Sequence, residues 1–337
     1  MLHALSSQFV DEVLANVLLH RFLWFRRAAP ARGPRPEKFP ALFSGELSAF
    51  YAPDPAPVDL EAGRILFRET VNSTVWDCRF SSESPLGWPV SDRVWCRHWK
   101  TRHIDRGVTL VGVDGIVQLG TRWFRRLAEV LNPCGIDVFA MDAPFNFRRT
   151  PRGYMPGQLI ISGDLGHQLA VTRQAVRDLW RVVVSLQQQG RRVGLMGVSY
   201  GGWLSLLTSL LAEGLDFLIA VAPPVDIFGM LRKRGGTIVR GVRRGIGYEP
   251  LDATSVKRLV RPVVPTNWPQ KMPGDRVSLH AGRYDRLVPR RGIETLARLW
   301  NAKLAVYDAA HYNLAMSTRI LPDIAAEVRA LAGIDAA

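Results

Sequence analysis

Residues 193–202, Val-Gly-Leu-Met-Gly-Val-Ser-Tyr-Gly-Gly, constrain this chain more than any other stretch. An apolar run ends in Gly197-Val198-Ser199-Tyr200-Gly201 and passes into the helical-looking segment 203–211. The pattern is a strand, a sharp turn and a helix, with a serine at the apex. So tight a turn holds Ser199 at strained backbone angles, and the residues two before and two after it must be small to avoid collision. Gly197 and Gly201 meet that requirement. The geometry lifts the serine oxygen above the sheet edge and aims the Tyr200 amide at an oxyanion formed there, as nucleophilic acyl chemistry requires. A glycine-rich connection without chemistry is the bland alternative, and the flanking strand and helix weigh against it.

The rest of the chain supplies neighbours for that strand. Short apolar runs at 108–112, 136–141, 217–222, 277–281 and 302–307 read as buried strands. Between them lie segments of helical periodicity: a stripe of Trp123, Leu127, Val130 and Leu131, a long helix over 165–189, and helices over 293–300 and 320–331. This alternation predicts a mostly parallel sheet with helices on both faces. Residues 70–80 and 93–101 carry β-favouring residues on either side of a turn and predict two antiparallel leading strands. Residues 148–159 read as a surface loop. With 337 residues, 47% of them hydrophobic, the chain has ample material for one large core.

Two regions fall outside that core. Residues 1–60 read as an amphipathic helix, with Phe9, Val13, Val17, Leu18 and Phe22 on one stripe, followed by a proline-rich arm over 28–57. The helix either docks on the domain or lies on a membrane surface. Neither a secretory signal nor a bilayer-spanning segment is read there, because Asp11, Glu12, His20 and Arg21 interrupt its apolar residues. The main domain is expected over 61–337, with a small basic, cap-like insertion at about 226–272. Residues 226–271 hold ten Lys or Arg against Asp226, Glu249 and Asp252.

The charge balance, 44 Lys and Arg against 30 Asp and Glu for a net +14, fits an anionic partner or surface without identifying one. Peripheral association with an anionic membrane is one such expectation. Nucleic acid is not expected, because there is no phosphate-binding glycine loop and the basic residues sit with turns rather than on an aromatic platform. Cys78, Cys96 and Cys134 are odd in number and widely spaced, which suggests free thiols and a cytoplasmic setting. Cys96 and His98 lack a second pair at zinc spacing, so no metal is expected.

A serine needs a base, and the base needs a third group to orient it. Of the seven histidines, His311 follows the last strand in Asp308-Ala309-Ala310-His311-Tyr312-Asn313, at the carboxyl edge where parallel-sheet sites are built. His280 lies inside an apolar strand and reads as structural, His167 begins a helix, and the others fall in the first third of the chain. Asp285 comes directly after the penultimate strand, in Gly282-Arg283-Tyr284-Asp285-Arg286-Leu287-Val288-Pro289. Asp308 and Asp226 are rival acids.

The serine turn, the Gly-x-x-Asp-x-Leu-Val-Pro stretch and the terminal histidine loop, in the order Ser, Asp, His, resemble the α/β-hydrolase superfamily, with its serine esterases and lipases, over about residues 65–333. The resemblance implies an α/β-hydrolase fold, a catalytic triad of Ser199, Asp285 and His311, and no cofactor. It favours Asp285 over its rivals and assigns the second oxyanion donor to Val113, in Val111-Gly112-Val113-Asp114-Gly115, where the frequent His-Gly string is missing. An inward-pointing Asp114 would repel an oxyanion there. The expected activity is cleavage of a small-molecule or lipid-like carboxylic ester. Acyl transfer to an alcohol or amine would use the same acyl-enzyme, and a non-catalytic binding protein on this fold is a reading from a different class.

Overall fold

In the computed structural model, a short helix α1 (Leu47–Tyr51) precedes three strands, β1 (Ile65–Glu69), β2 (Ser73–Ser81) and β3 (Arg93–Thr101). Strands and helices then alternate: β4 (Val108–Val113), α2 (Arg122–Leu131), β5 (Ile136–Met141), α3 (Leu165–Gln188), β6 (Arg192–Val198), α4 (Tyr200–Ser209) and β7 (Phe217–Val221). After α5 (Ala253–Val260) come β8 (Val277–Gly282), α6 (Arg290–Trp300), β9 (Lys303–Tyr307), α7 (His311–Met316) and α8 (Leu321–Leu331). The structure describes residues 46–116, 120–160, 165–225, 253–316 and 320–334, together with Phe9 and Val13. The amphipathic N-terminal helix, apart from those two residues, and the part of the basic insertion at 226–252, including Asp226, lie outside the described residues.

The nine strands form one sheet in the order β1-β2-β3-β5-β4-β6-β7-β8-β9. Strands β1, β2, β3 and β5 pair antiparallel in sequence, and every pair from β5 to β9 is parallel. Strands β4, β5, β7 and β8 are buried along their whole length, and β6 exposes only Arg192, as continuous apolar runs require when helices cover both faces. Helices α3, α4 and α6 pack on one face and α2 and α8 on the other. Helix α4 is buried at every residue, held between the sheet and α3. It is the element that begins at the serine.

Three features differ from the expectation. Strand β1 adds a third leading strand; all five of its residues are exposed, so no face-to-face alternation marks it in the sequence. Where it is described, the arm is docked on the domain rather than set outside its core, with Phe50 and Tyr51 fully buried. Arg173, Arg177 and Arg181, four residues apart on α3, point along one helix face and donate to backbone carbonyls of the arm. Arg173 Nε reaches Phe50 O at 2.6 Å and Arg181 Nε reaches Ala56 O at 2.8 Å, with Arg177 bonded to the carbonyls of Tyr51 and Pro53 between them. Ser185, one turn further, accepts the Val58 amide at 2.9 Å.

The third difference is the loop after β5. Residues 148–159 read as surface, yet Arg149 is fully buried: it donates to Ser91 O at 2.6 Å, to Asp142 O at 3.1 Å and to Asp178 at 2.8 Å. Such a charge is tolerated inside only because each direction of its fork finds an acceptor. Replacing Arg149 with methionine leaves the buried Asp178 carboxyl without its cation. The expected loss is about 3–5 kcal/mol of stability, measured by urea unfolding. Arg149→Lys should recover only part of it, because one ammonium cannot reproduce the fork.

Candidate active site

Strand β6 ends at Val198, and the chain turns at Ser199 with φ 53° and ψ −118° before α4 starts at Tyr200. The turn is anchored on one side by the Ser199 amide, which donates to Val221 O at 2.7 Å and so extends the sheet ladder into the apex. Its tightness explains both glycines. A Cβ on Gly197 would come to 2.1 Å from the Gly201 carbonyl oxygen, and one on Gly201 to 2.0 Å from the Val113 carbonyl oxygen. Any side chain at either position would push the turn apart.

Two further connections meet Ser199 from the carboxyl ends of β8 and β9. Backbone bonds lace them together: Arg283 N–H donates to Tyr307 O at 2.8 Å and Tyr284 N–H to Ala309 O at 3.0 Å. The result brings Asp285 and His311 into register. His311 Nε2 lies 2.9 Å from Ser199 Oγ, and His311 Nδ1 lies 2.7 Å from Asp285 Oδ2. The other carboxyl oxygen, Asp285 Oδ1, accepts the amides of Leu287 at 2.9 Å and Val288 at 2.7 Å, which fixes the rotation of the group. His311 is buried and Ser199 is half-buried, so the base is shielded while the serine keeps partial exposure. His311 is the first residue of α7 rather than part of a loop. An acceptor at Nδ1 sets the tautomer, leaving Nε2 to take a proton from the serine.

The rival acid Asp308 is turned away: it is exposed and forms an ion pair with Arg283 at 2.8 Å. His280 is buried, with Ser278 Oγ at 3.2 Å and Glu327 at 2.9 Å both on Nε2 and the Tyr307 hydroxyl at 3.1 Å on Nδ1. That cluster looks like a second Ser-His-acid set, but hydroxyl and carboxylate share one ring nitrogen, so no proton relay can run through it. Cys96 is buried opposite Cys78, and His98 contacts Asp137 at 3.1 Å.

The start of α4 lies beside the serine. The first turn-closing bond is Trp203 N–H to Ser199 O at 3.1 Å, which leaves the amides of Tyr200, Gly201 and Gly202 ahead of the helical ladder. The positive end of the helix dipole thus sits beside the serine oxygen. Val113, the residue expected to give a second donor, ends β4 with its carbonyl against Gly201. Beyond it, Asn146 Nδ2 donates to Gly115 O at 2.9 Å and ties the turn after β4 to the loop after β5. No periodic or motif signal marks Asn146 in the sequence.

Asp114, next to Val113, is buried, and neither of its carboxyl oxygens has a hydrogen-bond partner among the described residues. Burial, and then the neighbouring Asp142, hold its carboxyl well above the usual carboxylate range. Its proton is thus held more tightly than in an ordinary carboxyl, which works against the ionised form that would oppose an oxyanion. The folded state keeps a proton that the unfolded chain releases, so stability contributed by this group declines as pH rises above the ordinary carboxylate range. Asp114→Asn should remove that decline, so its stability relative to the native chain should rise as pH is raised above about 4 in urea unfolding series.

A nine-stranded, mostly parallel sheet with a serine at a strained strand-to-helix turn, an acid after β8 and a histidine after β9 defines the α/β-hydrolase fold, and this chain has it. Acetyl xylan esterase 1 from Thermoanaerobacterium sp. JW/SL YS485 superposes with a TM-score of 0.61 at 16% identity, over 86% of this chain and 98% of that one. An acetyl xylan esterase from Paenibacillus sp. R4 gives 0.58 at 15% identity, over 84% and 99%. No protein-family model matches the chain. In sequence, an uncharacterized protein of Mycobacterium tuberculosis is 32% identical over 156 residues, 44% of this chain. The match spans about a third, 35%, of the length of that curated relative.

Proposed function

We propose that the chain is a serine hydrolase of carboxylic esters. The observation that carries this reading is the continuous line from Asp285 through His311 to Ser199, with contacts of 2.7 Å and 2.9 Å, at a serine held in a strained turn. Ser199 Oγ attacks the ester carbonyl as its proton passes to His311 Nε2, and Asp285 stabilises the imidazolium that results. The negative charge forming on the carbonyl oxygen meets the Tyr200 amide at the head of α4, with a second donor from the Val113 turn. Collapse expels the alcohol, which takes the proton from His311. Water, deprotonated by the same nitrogen, then releases the acid from Ser199 and restores the hydroxyl.

The structural neighbours named above are esterases, which supports an ester as the bond attacked. The reading is tested by incubating the full chain with a fluorophosphonate probe and with model esters of increasing acyl length. One labelled residue together with release of free acid is the expected result. Failure to label, or transfer of the acyl group to an added alcohol with no free acid formed, overturns hydrolysis as the activity.

A further inference from the structure

The edge of the sheet opposite Ser199 has its own chemistry. Three connections meet at the amino ends of the parallel strands: the turn between β1 and β2, the segment 102–107 before β4, and the end of α2. They are bound to one another. Arg102 donates to Thr70 O at 2.9 Å, and the His103 ring contacts Val71 O at 2.9 Å. The Thr101 hydroxyl lies 2.7 Å from Ile104 O and 3.0 Å from Asn132 O, and the Arg106 amide donates to Gly135 O at 2.9 Å. Each connection carries one outward apolar side chain: Val71 at 79% exposure, Ile104 at 48% and Val130 at 47%.

Isolated exposed apolar residues need no explanation, but three on adjoining turns, ringed by cations, do. Arg68, Arg102 and Arg106 are exposed around them. The acids of the same edge are already engaged: Asp105 with Arg191 at 2.6 Å, Glu129 with Arg125 at 3.5 Å and Glu69 with Arg102 at 4.0 Å. Among the described residues, Arg68 and Arg106 have no ion-pair partner. The apolar residues are separate tips rather than a groove, so they ask for a surface that yields to them, not for a partner of matching shape. The surrounding charge, in a chain of net +14, asks for that surface to be negative.

We propose that this amino edge docks on an anionic phospholipid bilayer, with Val71, Ile104 and Val130 entering the headgroup layer and the arginines contacting phosphates. Ser199 lies at the opposite edge of the sheet, so the docked chain presents its serine to water. Docking does not depend on the esterase reading, and its test stands if that reading fails.

The test is co-sedimentation of the full chain with phosphatidylserine-containing and with pure phosphatidylcholine vesicles, at low and moderate ionic strength. Expected is binding to the anionic vesicles that weakens with salt, and a loss on the order of tenfold or more in the double variant Val71→Asp/Ile104→Asp, whose side chains lie outside the core. Fluorophosphonate labelling or circular dichroism of the variant checks that it folds. No binding to anionic vesicles overturns the proposal, as does binding that the double substitution leaves unchanged. Equal binding to heparin by native chain and variant, without vesicle binding, assigns the charge to a soluble polyanion and overturns it too.

Discussion

Ser199→Ala is expected to abolish fluorophosphonate labelling of the chain and to lower ester turnover on the order of 10⁴-fold or more. Ordinary hydroxyls do not attack such phosphorus centres; an activated one does, and activation here means the His311 ring nitrogen at 2.9 Å. A built-in control exists. Ser278 also touches a histidine, His280 at 3.2 Å, but it is buried and its histidine nitrogen is shared with Glu327. Ser278→Ala should leave labelling intact. Mass spectrometry of the labelled peptide decides between the two, and a label that persists in Ser199→Ala removes the serine from its proposed role.

The turn at Ser199 was readable because its constraint is local: the steric demand on Gly197 and Gly201 can be stated from the sequence, and the structure shows what each would strike. The buried parallel strands were readable for a related reason, since burial on both faces writes itself as an unbroken apolar run. Elements whose fate depends on distant partners were not. Strand β1 has no alternating pattern because neither face is covered. The burial of Arg149 depends on Asp178, 29 positions away, and an arginine between turn residues reads as solvent-facing until its acceptors are known. The docking of the arm on Arg173, Arg177 and Arg181 uses backbone carbonyls, which leave no residue-type signature at all. The choice between Asp285 and Asp308 rested on the family resemblance, which favoured Asp285, and not on spacing along the chain. Sequence proximity to His311 favoured Asp308, and only the pairing of β8 with β9 brings Asp285 alongside the ring.

That choice gives the second large effect. His311→Ala is expected to lower kcat/KM for a model ester about as far as Ser199→Ala does, because the two residues act as one unit and the double variant should be little worse than either. Asp285→Asn should cost about 10²–10⁴-fold while leaving the fold intact. An amide at that position can still accept the Leu287 and Val288 amides, yet it can turn an N–H toward Nδ1 and favour the tautomer whose Nε2 already carries a proton. Such a histidine cannot receive the Ser199 proton. The rate loss should therefore appear in kcat/KM with thermal stability nearly unchanged, whereas a purely structural role would move both together. Asp308→Asn serves as the opposing arm: it removes only an exposed ion pair with Arg283 and should change turnover less than about twofold. A silent Asp285→Asn beside a crippled Asp308→Asn would transfer the orienting role to Asp308 and require the β9 to α7 connection to rearrange before catalysis.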